Sequence, residues 1–131
     1  MKLTFLGTRD AFDEFSLRNG YIFAISGDGD FTDETRELFK GVDLLIHDAY
    51  SQARPAIGHA SALDILNFAM EEKIAQVALV HRRRDEWADR GNIREIRRVR
   101  KAGIKVVIPE DGDSLKLKRL PLRLSNIPLY A

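Results

Sequence analysis

The side chains best suited to chemistry in this sequence are three histidines and two aspartates that lie close to apolar runs. His47 and His81 directly follow such runs, and His59 comes just before a predicted helix start. Asp28 and Asp48 occupy similar positions after two of the runs. Imidazole nitrogen and carboxylate oxygen are ligands that suit a divalent metal such as zinc. A structural interpretation stands beside this one, because histidines at strand ends are often hydrogen-bonded and Asp-Gly is ordinary turn chemistry.

The elements that must position these side chains follow from the hydrophobic pattern. Short runs rich in β-branched or aromatic residues predict buried strands, and alternation predicts one half-exposed strand: Lys2–Leu6, Tyr21–Ile25, Asp43–Ile46, Val77–Val80, Lys105–Ile108 and Ser114–Lys118. Amphipathic segments predict three helices, over Thr32–Phe39, after the cap Ser61, and over about Asn92–Ala102 ending at Gly103. The strand–helix–strand order indicates an α/β fold with a parallel or mixed sheet, which binds ligands beyond the carboxyl ends of its strands.

A basic stretch begins at the same predicted rim. Arg82, Arg83 and Arg84 directly follow His81, and the stretch from position 82 to 105 holds ten basic and four acidic residues. Arginine suits bidentate contacts to phosphate, so these three arginines are candidates for binding a phosphate-containing or nucleic-acid substrate. The other interpretation is a solvated helix face. Trp87 is the only aromatic residue among the arginines, so the sequence shows no base-stacking platform.

Composition narrows the class of protein. The chain has 131 residues, 44% hydrophobic and 31% charged, with a net charge of +1, which predicts one globular domain over residues 1–131. The absence of cysteine excludes disulfides, thiolate zinc sites, iron–sulfur clusters and a cysteine nucleophile. It fits a reducing compartment, and with no signal peptide and no membrane-length apolar run we expect a cytoplasmic protein that does not contact a membrane.

Short motifs in the right order carry a resemblance to a known family. After the opening strand and turn, these are Ile25-Ser26-Gly27-Asp28, Asp43–Tyr50, Gly58-His59-Ala60-Ser61-Ala62, Leu79-Val80-His81 and Val107–Gly112. Together they resemble the C-terminal half of metallo-β-lactamase-fold hydrolases, and most closely the phosphodiesterase and tRNA 3′-processing branch. The resemblance implies an α/β fold whose mixed sheet and flanking helices correspond to one half of an αββα sandwich.

The resemblance also implies roles for named residues. Asp28 matches a carboxylate that bridges two metal ions, and His81 matches the last histidine ligand of the second ion. His59 matches a histidine that contacts the scissile phosphate or assists the leaving group, supported by Asp48. His47 matches a position that is not a ligand. The implied cofactor is a divalent metal, most simply zinc, and the implied activity is phosphodiester hydrolysis.

The main departure from the family lies between the first strand and the Ser-Gly-Asp turn. The family's His-x-His-x-Asp-His signature belongs there, whereas this chain has only Arg9–Asn19. Asp28 and His81 remain, which is fewer than the three protein ligands of a catalytic zinc site. Three explanations stay open: a diverged member without hydrolase activity, a site completed by a partner chain or a homodimer, and an independent small α/β domain.

Two further functions compete with a divergent hydrolase that acts on or binds a phosphodiester or nucleic acid. One is a non-catalytic binding or assembly protein that uses the basic rim. The other is a receiver-like doubly wound domain with Asp48 as phosphoacceptor and Asp28 and Asp30 holding magnesium. The receiver interpretation is weaker, because a receiver's acidic pair follows its first strand, and the first strand here ends in Gly7-Thr8.

Overall fold

The architecture is a mixed sheet with helices on one face. The computed structural model describes residues 2–4, 14–18, 21–26, 30–53, 56–84 and 93–116. The strands in those ranges are β1 (Lys2–Thr4), β2 (Glu14–Arg18), β3 (Tyr21–Ile25), β4 (Leu44–Asp48), β5 (Gln76–Val80), β6 (Lys105–Val107) and β7 (Ser114–Lys116). Five of them form one sheet in the order β2-β3-β4-β5-β6, and β1 pairs with β7 separately. Strands β3 to β6 are parallel, while β2 runs antiparallel to β3.

Three helices occur in the described ranges: α1 (Asp33–Phe39), α2 (Ala62–Glu71) and α3 (Ile93–Lys101). The first two begin at the predicted caps. Thr32 Oγ1 accepts the N–H of Thr35 in a reciprocal capping box, and Ser61 Oγ accepts the N–H of Asp64. Such caps satisfy N–H groups that have no partner inside the helix. The predicted end of α3 is also confirmed, because Gly103 has a φ of 93°, which favours glycine.

Alternating residues of each strand contribute to two apolar layers, because successive side chains of a strand point to opposite faces of the sheet. The layer under the helices joins strand residues such as Leu45 and Leu79 to helix residues such as Phe39, Leu66 and Val99. The layer on the other face is smaller and contains Leu44, Ile46, Ala78, Val80 and, from β7, Leu115. The sheet therefore has a thick helical cover on one face and a thinner apolar layer on the other.

The α/β class with a mixed sheet is confirmed, and one strand differs from the prediction. Glu14–Arg18 lies in the interval that the sequence analysis left without an element, and it forms β2. Its residues alternate polar with apolar, and Asn19-Gly20 stands between it and β3, a pair that favours two-residue hairpins. In the described part of the chain, no helix is long and apolar enough to cross a lipid bilayer.

Candidate functional site

Two neighbouring strands and one loop bring three predicted site residues to one edge of the sheet. Asp48 is the last residue of β4, and its register partner Val80 is the last residue of β5. His81 therefore emerges beside Asp48 at the carboxyl edge. His59 arrives from the loop before α2, two residues ahead of the cap Ser61. The start of α2 is held against the end of β4, because Ala62 N–H donates to the Ser51 carbonyl at 2.9 Å.

The centre of this site is the buried Asp48 carboxylate between two imidazoles. His59 Nδ1 lies 3.0 Å from Asp48 Oδ2, and His81 Nδ1 lies 3.6 Å from Oδ1. The two imidazole rings have centroids 5.3 Å apart. The Asp48 side chain is fully buried, whereas 23% of the His59 side chain and 24% of the His81 side chain are exposed. The carboxylate thus forms a hydrogen bond with His59 and lies within ion-pair distance of His81, and both rings reach the surface.

The surroundings of Asp48 shift the pKa of its carboxyl group in opposite directions. Burial raises the pKa of the Asp48 carboxyl above its ordinary value of 3.8, because an ionised carboxylate loses hydration there. The hydrogen bond from His59, the charges of His81 and His59, and the N–H of Tyr50 lower the pKa and so partly oppose this effect. The Tyr50 N–H donates to Oδ1 at 2.8 Å. An ionised carboxylate only accepts hydrogen bonds, so the His59 proton belongs on Nδ1 and leaves chemistry to Nε2.

Tyr50 is a site residue that the sequence analysis did not identify. Its ring stacks on His59, with centroids 4.3 Å apart and planes 21° apart, and lies 5.5 Å from the His81 ring. Its carbonyl accepts the N–H of Arg83 at 2.9 Å, which ties the end of β4 to the segment after β5. The feature of the sequence that could have identified Tyr50 is its position, two residues after the candidate Asp48 at a strand end.

His47 lies away from the site. As the neighbour of Asp48 in β4, it points to the opposite face, and it is fully buried under the helices. The rings of Phe31 and Phe39 meet its imidazole edge-on, at centroid distances of 5.2 and 5.6 Å. Its Nδ1 lies 2.9 Å from the Asp48 carbonyl oxygen. This histidine therefore belongs to the core.

Asp28 lies outside the described residues, so the structure does not test the prediction that Asp28 and His81 bind the same metal ion. Ser26, two residues before it, is buried at the same edge. Ser26 Oγ accepts the N–H of Asp48 at 2.9 Å, and Ser26 N–H donates to the Ile46 carbonyl at 2.8 Å. Ser26, the last described residue before Asp28, therefore lies next to Asp48.

The three predicted substrate-binding arginines have different surroundings. The Arg82 guanidinium donates to the Pro109 carbonyl at 3.0 Å and pairs with Glu110 at 3.2 Å, so it is held against the end of β6. Arg83 and Arg84 are exposed. Arg82 therefore links two strand ends, while the next two positions present positive charge to solvent.

The donor set at this edge fits a divalent cation. Ligand atoms of Asp48, His59 and His81 all lie within 4.8 Å of one another. Two histidines and one carboxylate, with a place for water, form a common catalytic zinc set. Here Asp48 already accepts hydrogen bonds from the Tyr50 N–H and from His59. This arrangement favours Asp48 as the carboxylate that orients the imidazoles, which leaves imidazole nitrogen as the ligand atom.

Solved structures identify the fold. The metallo-β-lactamase fold protein YhfI of Bacillus subtilis superimposes over 87% of this chain at 18% identity, with a TM-score of 0.65. A diphosphatase of the PhnP family matches 89% of the chain at 18% identity (TM-score 0.52), and the short form of human tRNase Z matches 79% at 20% identity (TM-score 0.55). The chain has the metallo-β-lactamase fold.

The likeness covers only part of each structure. The chain spans 47% of YhfI, 46% of the diphosphatase and 36% of the tRNase Z, so it spans less than half of each metallo-β-lactamase fold chain. No protein-family model and no curated protein matches the sequence. The predicted resemblance to a shortened metallo-β-lactamase fold is therefore confirmed for the fold, at identities too low to transfer an activity.

Proposed function

We propose that this chain belongs to the hydrolases of its fold in chemistry as well as architecture, and that it binds a phosphodiester at the edge formed by β4 and β5. The observation that carries the proposal is the 3.0 Å contact between the buried Asp48 carboxylate and His59 Nδ1. A buried carboxylate that orients a partly exposed imidazole is the arrangement used for proton transfer. The diphosphatase and the tRNase Z among the similar structures support a substrate that contains phosphate.

His59 is the proposed proton donor to the leaving oxygen. With Nδ1 held by Asp48, proton transfer takes place at Nε2. The stacked Tyr50 ring restricts the rotation of the His59 ring. A positioned acid of this kind contributes on the order of 10²- to 10⁴-fold to a rate.

His81 and Asp28 are the proposed holders of a divalent metal, most simply zinc. When bound, such an ion lowers the pKa of a coordinated water and so supplies a nucleophile near neutral pH. His81 lies at the same edge as His59, with the two rings 5.3 Å apart, which supports a shared site. Arg83 and Arg84 are proposed to attract the anionic substrate, with Arg82 placing them through its contacts at the end of β6.

A second copy of the chain, or a partner chain, is proposed to complete the site. Three features support this. The chain spans less than half of each of the three structures described above, and it lacks the His-x-His-x-Asp-His signature that would supply further ligands. The thinner face of the sheet also includes Phe23, Ile25 and Val107, which are only partly buried. The absence of cysteine fits a reducing compartment, and the cytoplasm is the proposed location.

The test is hydrolysis of diphenyl phosphate, whose phenolate leaving group benefits from protonation, by the purified chain, with and without added zinc, manganese or iron. We expect metal-dependent turnover that falls at least about 100-fold in His59→Ala, while the exposed Lys40→Gln control keeps the wild-type rate. Light scattering on the same sample should show a dimer. No turnover with any metal, in a folded sample that also retains no metal after dialysis, contradicts the catalytic proposal.

The missing signature favours one other function, a non-catalytic protein that binds phosphate-containing ligands through its basic rim. It predicts no turnover and no bound metal, with binding that weakens in Arg83→Gln/Arg84→Gln. Hydrolysis that depends on His59 would exclude it.

A further inference from the structure

The outer face of α3 carries a row of exposed cations. Ile96 and Val99 of this helix are buried in the apolar layer between the helices and the sheet. Arg94, Arg97 and Lys101 are exposed. Residues three and four apart lie next to each other on a helix, so these three side chains form one row opposite the buried side. Lys105, which is also exposed, opens the strand that follows.

The three cations on α3, which we call the α3 row (Arg94, Arg97 and Lys101), have no ion-pair partner among the described residues. Other exposed cations of the chain do have one: Lys40 pairs with Glu37 at 2.7 Å, and Arg98 of the same helix pairs with Glu95 at 2.9 Å. Between positions 93 and 105 there are six basic residues and one acidic residue, in a chain whose net charge is only +1. Positive charge is therefore concentrated here, and no carboxylate among the described residues pairs with the α3 row.

Helix stability does not explain the α3 row. Basic residues in the last turn are favourable because they face the negative end of the helix dipole, which accounts for Lys101. Arg94 lies in the first turn, where a positive charge is unfavourable. The pairs Arg94–Arg97 and Arg97–Lys101 place like charges at neighbouring positions, which destabilises the helix. An anion outside the chain would offset these costs.

The dimensions and chemistry of the row indicate which anion. Arg94 and Lys101 are about 10 Å apart along the helix axis, at 1.5 Å per residue, so one phosphate cannot contact both. A polymer of phosphates can. A membrane surface fits less well, because helices that bind membranes turn an apolar face outward, and the apolar face of α3 is in the core. The sequence from 93 to 105 contains no aromatic residue, so the row offers charge without base stacking.

We infer that the α3 row binds the sugar–phosphate backbone of a nucleic acid without reading its sequence. This inference goes beyond the proposed function and does not depend on it, because binding at α3 requires neither His59 nor a metal. Contacts to phosphate supply affinity and orientation and carry no direct sequence information. If the Asp48 edge also acts on phosphodiesters, the row makes a nucleic acid the substrate class.

The experiment is fluorescence anisotropy of a labelled single-stranded RNA of mixed sequence, titrated with the full chain at several potassium chloride concentrations. The test variant is Arg97→Gln/Lys101→Gln. Its control is Lys40→Gln/Lys73→Gln, which removes the same number of exposed charges elsewhere. Each lost contact to a single strand should reduce the slope of log K against log salt by about 0.7. We therefore expect the test variant to lose about 1.4 from the slope and at least about fivefold in affinity, and the control to keep wild-type values.

Several outcomes would overturn the inference: no RNA binding by the wild type, equal losses in the test variant and the control, or a stronger preference of the row for polyglutamate or for vesicles containing phosphatidylserine. Circular dichroism and thermal unfolding of each variant exclude a folding defect as the cause. His59→Ala separates this inference from the proposed function. It should abolish hydrolysis and retain RNA affinity, whereas a parallel loss of both would place RNA binding at the Asp48 edge and contradict the α3 assignment.

Discussion

The His59 imidazole lies almost flat on the Tyr50 ring, with centroids 4.3 Å apart and an angle of 21° between the planes. Tyr50 also donates its backbone N–H to Asp48 and accepts the N–H of Arg83 through its carbonyl. One residue thus positions the carboxylate, the imidazole and the chain that leaves β5. The Tyr50 ring holds His59 in the orientation that its contact with Asp48 requires.

Removal of this stack should slow hydrolysis without abolishing it. An aromatic pair contributes about 0.5–1.5 kcal/mol beyond burial, so Tyr50→Leu should lower kcat roughly two- to tenfold, with KM nearly unchanged. Tyr50→Phe keeps the ring and the backbone contacts, and it should keep the wild-type rate. Steady-state kinetics on diphenyl phosphate measure both variants. Equal losses in the two would assign the effect to the phenol hydroxyl and contradict the stacking role.

Asp48→Asn should change which nitrogen of His59 carries the proton. The carboxylate only accepts, whereas an asparagine amide can donate to Nδ1 and so stabilise the Nε2–H tautomer. We expect a loss of about 100-fold or more in kcat, and a shift of the His59 ring ¹⁵N resonances from the Nδ1–H pattern to the Nε2–H pattern. Unchanged ¹⁵N shifts in a folded variant would contradict the assignment of Asp48 as the group that sets the tautomer.

The buried Asp48 carboxyl should give the metal-free protein a defined pH dependence of stability. Its pKa is raised in the folded state and returns toward 3.8 on unfolding. Between these two pKa values the folded state binds more protons, so the free energy of unfolding falls as pH rises from about 3.8 through the folded-state pKa. Above that range the unfavourable contribution is constant.

Urea unfolding of the wild type and of Asp48→Asn, in EDTA at a series of pH values, measures this effect. The variant cannot titrate at this position, so the stability of the wild type relative to the variant should decrease across the interval. A relative stability that instead increases with pH would mean that the charges of His59 and His81 outweigh burial.

The sequence was sufficient for the parallel strands and for part of the site, because these depend on local patterns. The apolar runs that became β4 and β5 place Asp48 and His81 at one edge through the crossover rule alone. The sequence analysis did not predict β2, because its alternation of polar and apolar residues is short and contains only two apolar residues. The stacking of Tyr50 on His59 depends on the three-dimensional packing of separate segments, and the position of Tyr50 two residues after Asp48 does not specify that contact.

The caps of α1 and α2 offer a matched pair that separates stability from site geometry. Ser61→Ala removes the acceptor for the Asp64 N–H, and Thr32→Ala removes the acceptor for Thr35. Each should lower the free energy of unfolding by about 1 kcal/mol, as measured by thermal or urea unfolding. Only Ser61 lies two residues from His59, so only Ser61→Ala should also reduce the hydrolysis rate. Equal activity losses in both variants would show that the rate follows global stability.

The backbone at His81 allows the role of its imidazole to be separated from the role of its conformation. His81 has a φ of 49°, in the left-handed region that asparagine and histidine tolerate and β-branched residues do not. His81→Asn should therefore keep wild-type stability within about 0.5 kcal/mol, whereas His81→Val should lose about 1–2 kcal/mol. Both variants lack the imidazole, so both should fail to retain zinc in isothermal titration calorimetry. Zinc binding that survives in His81→Asn would show that His81 is not a metal ligand. A large destabilisation of the same variant would show that the contact between His81 and Asp48, rather than the backbone conformation, determines the stability of this edge.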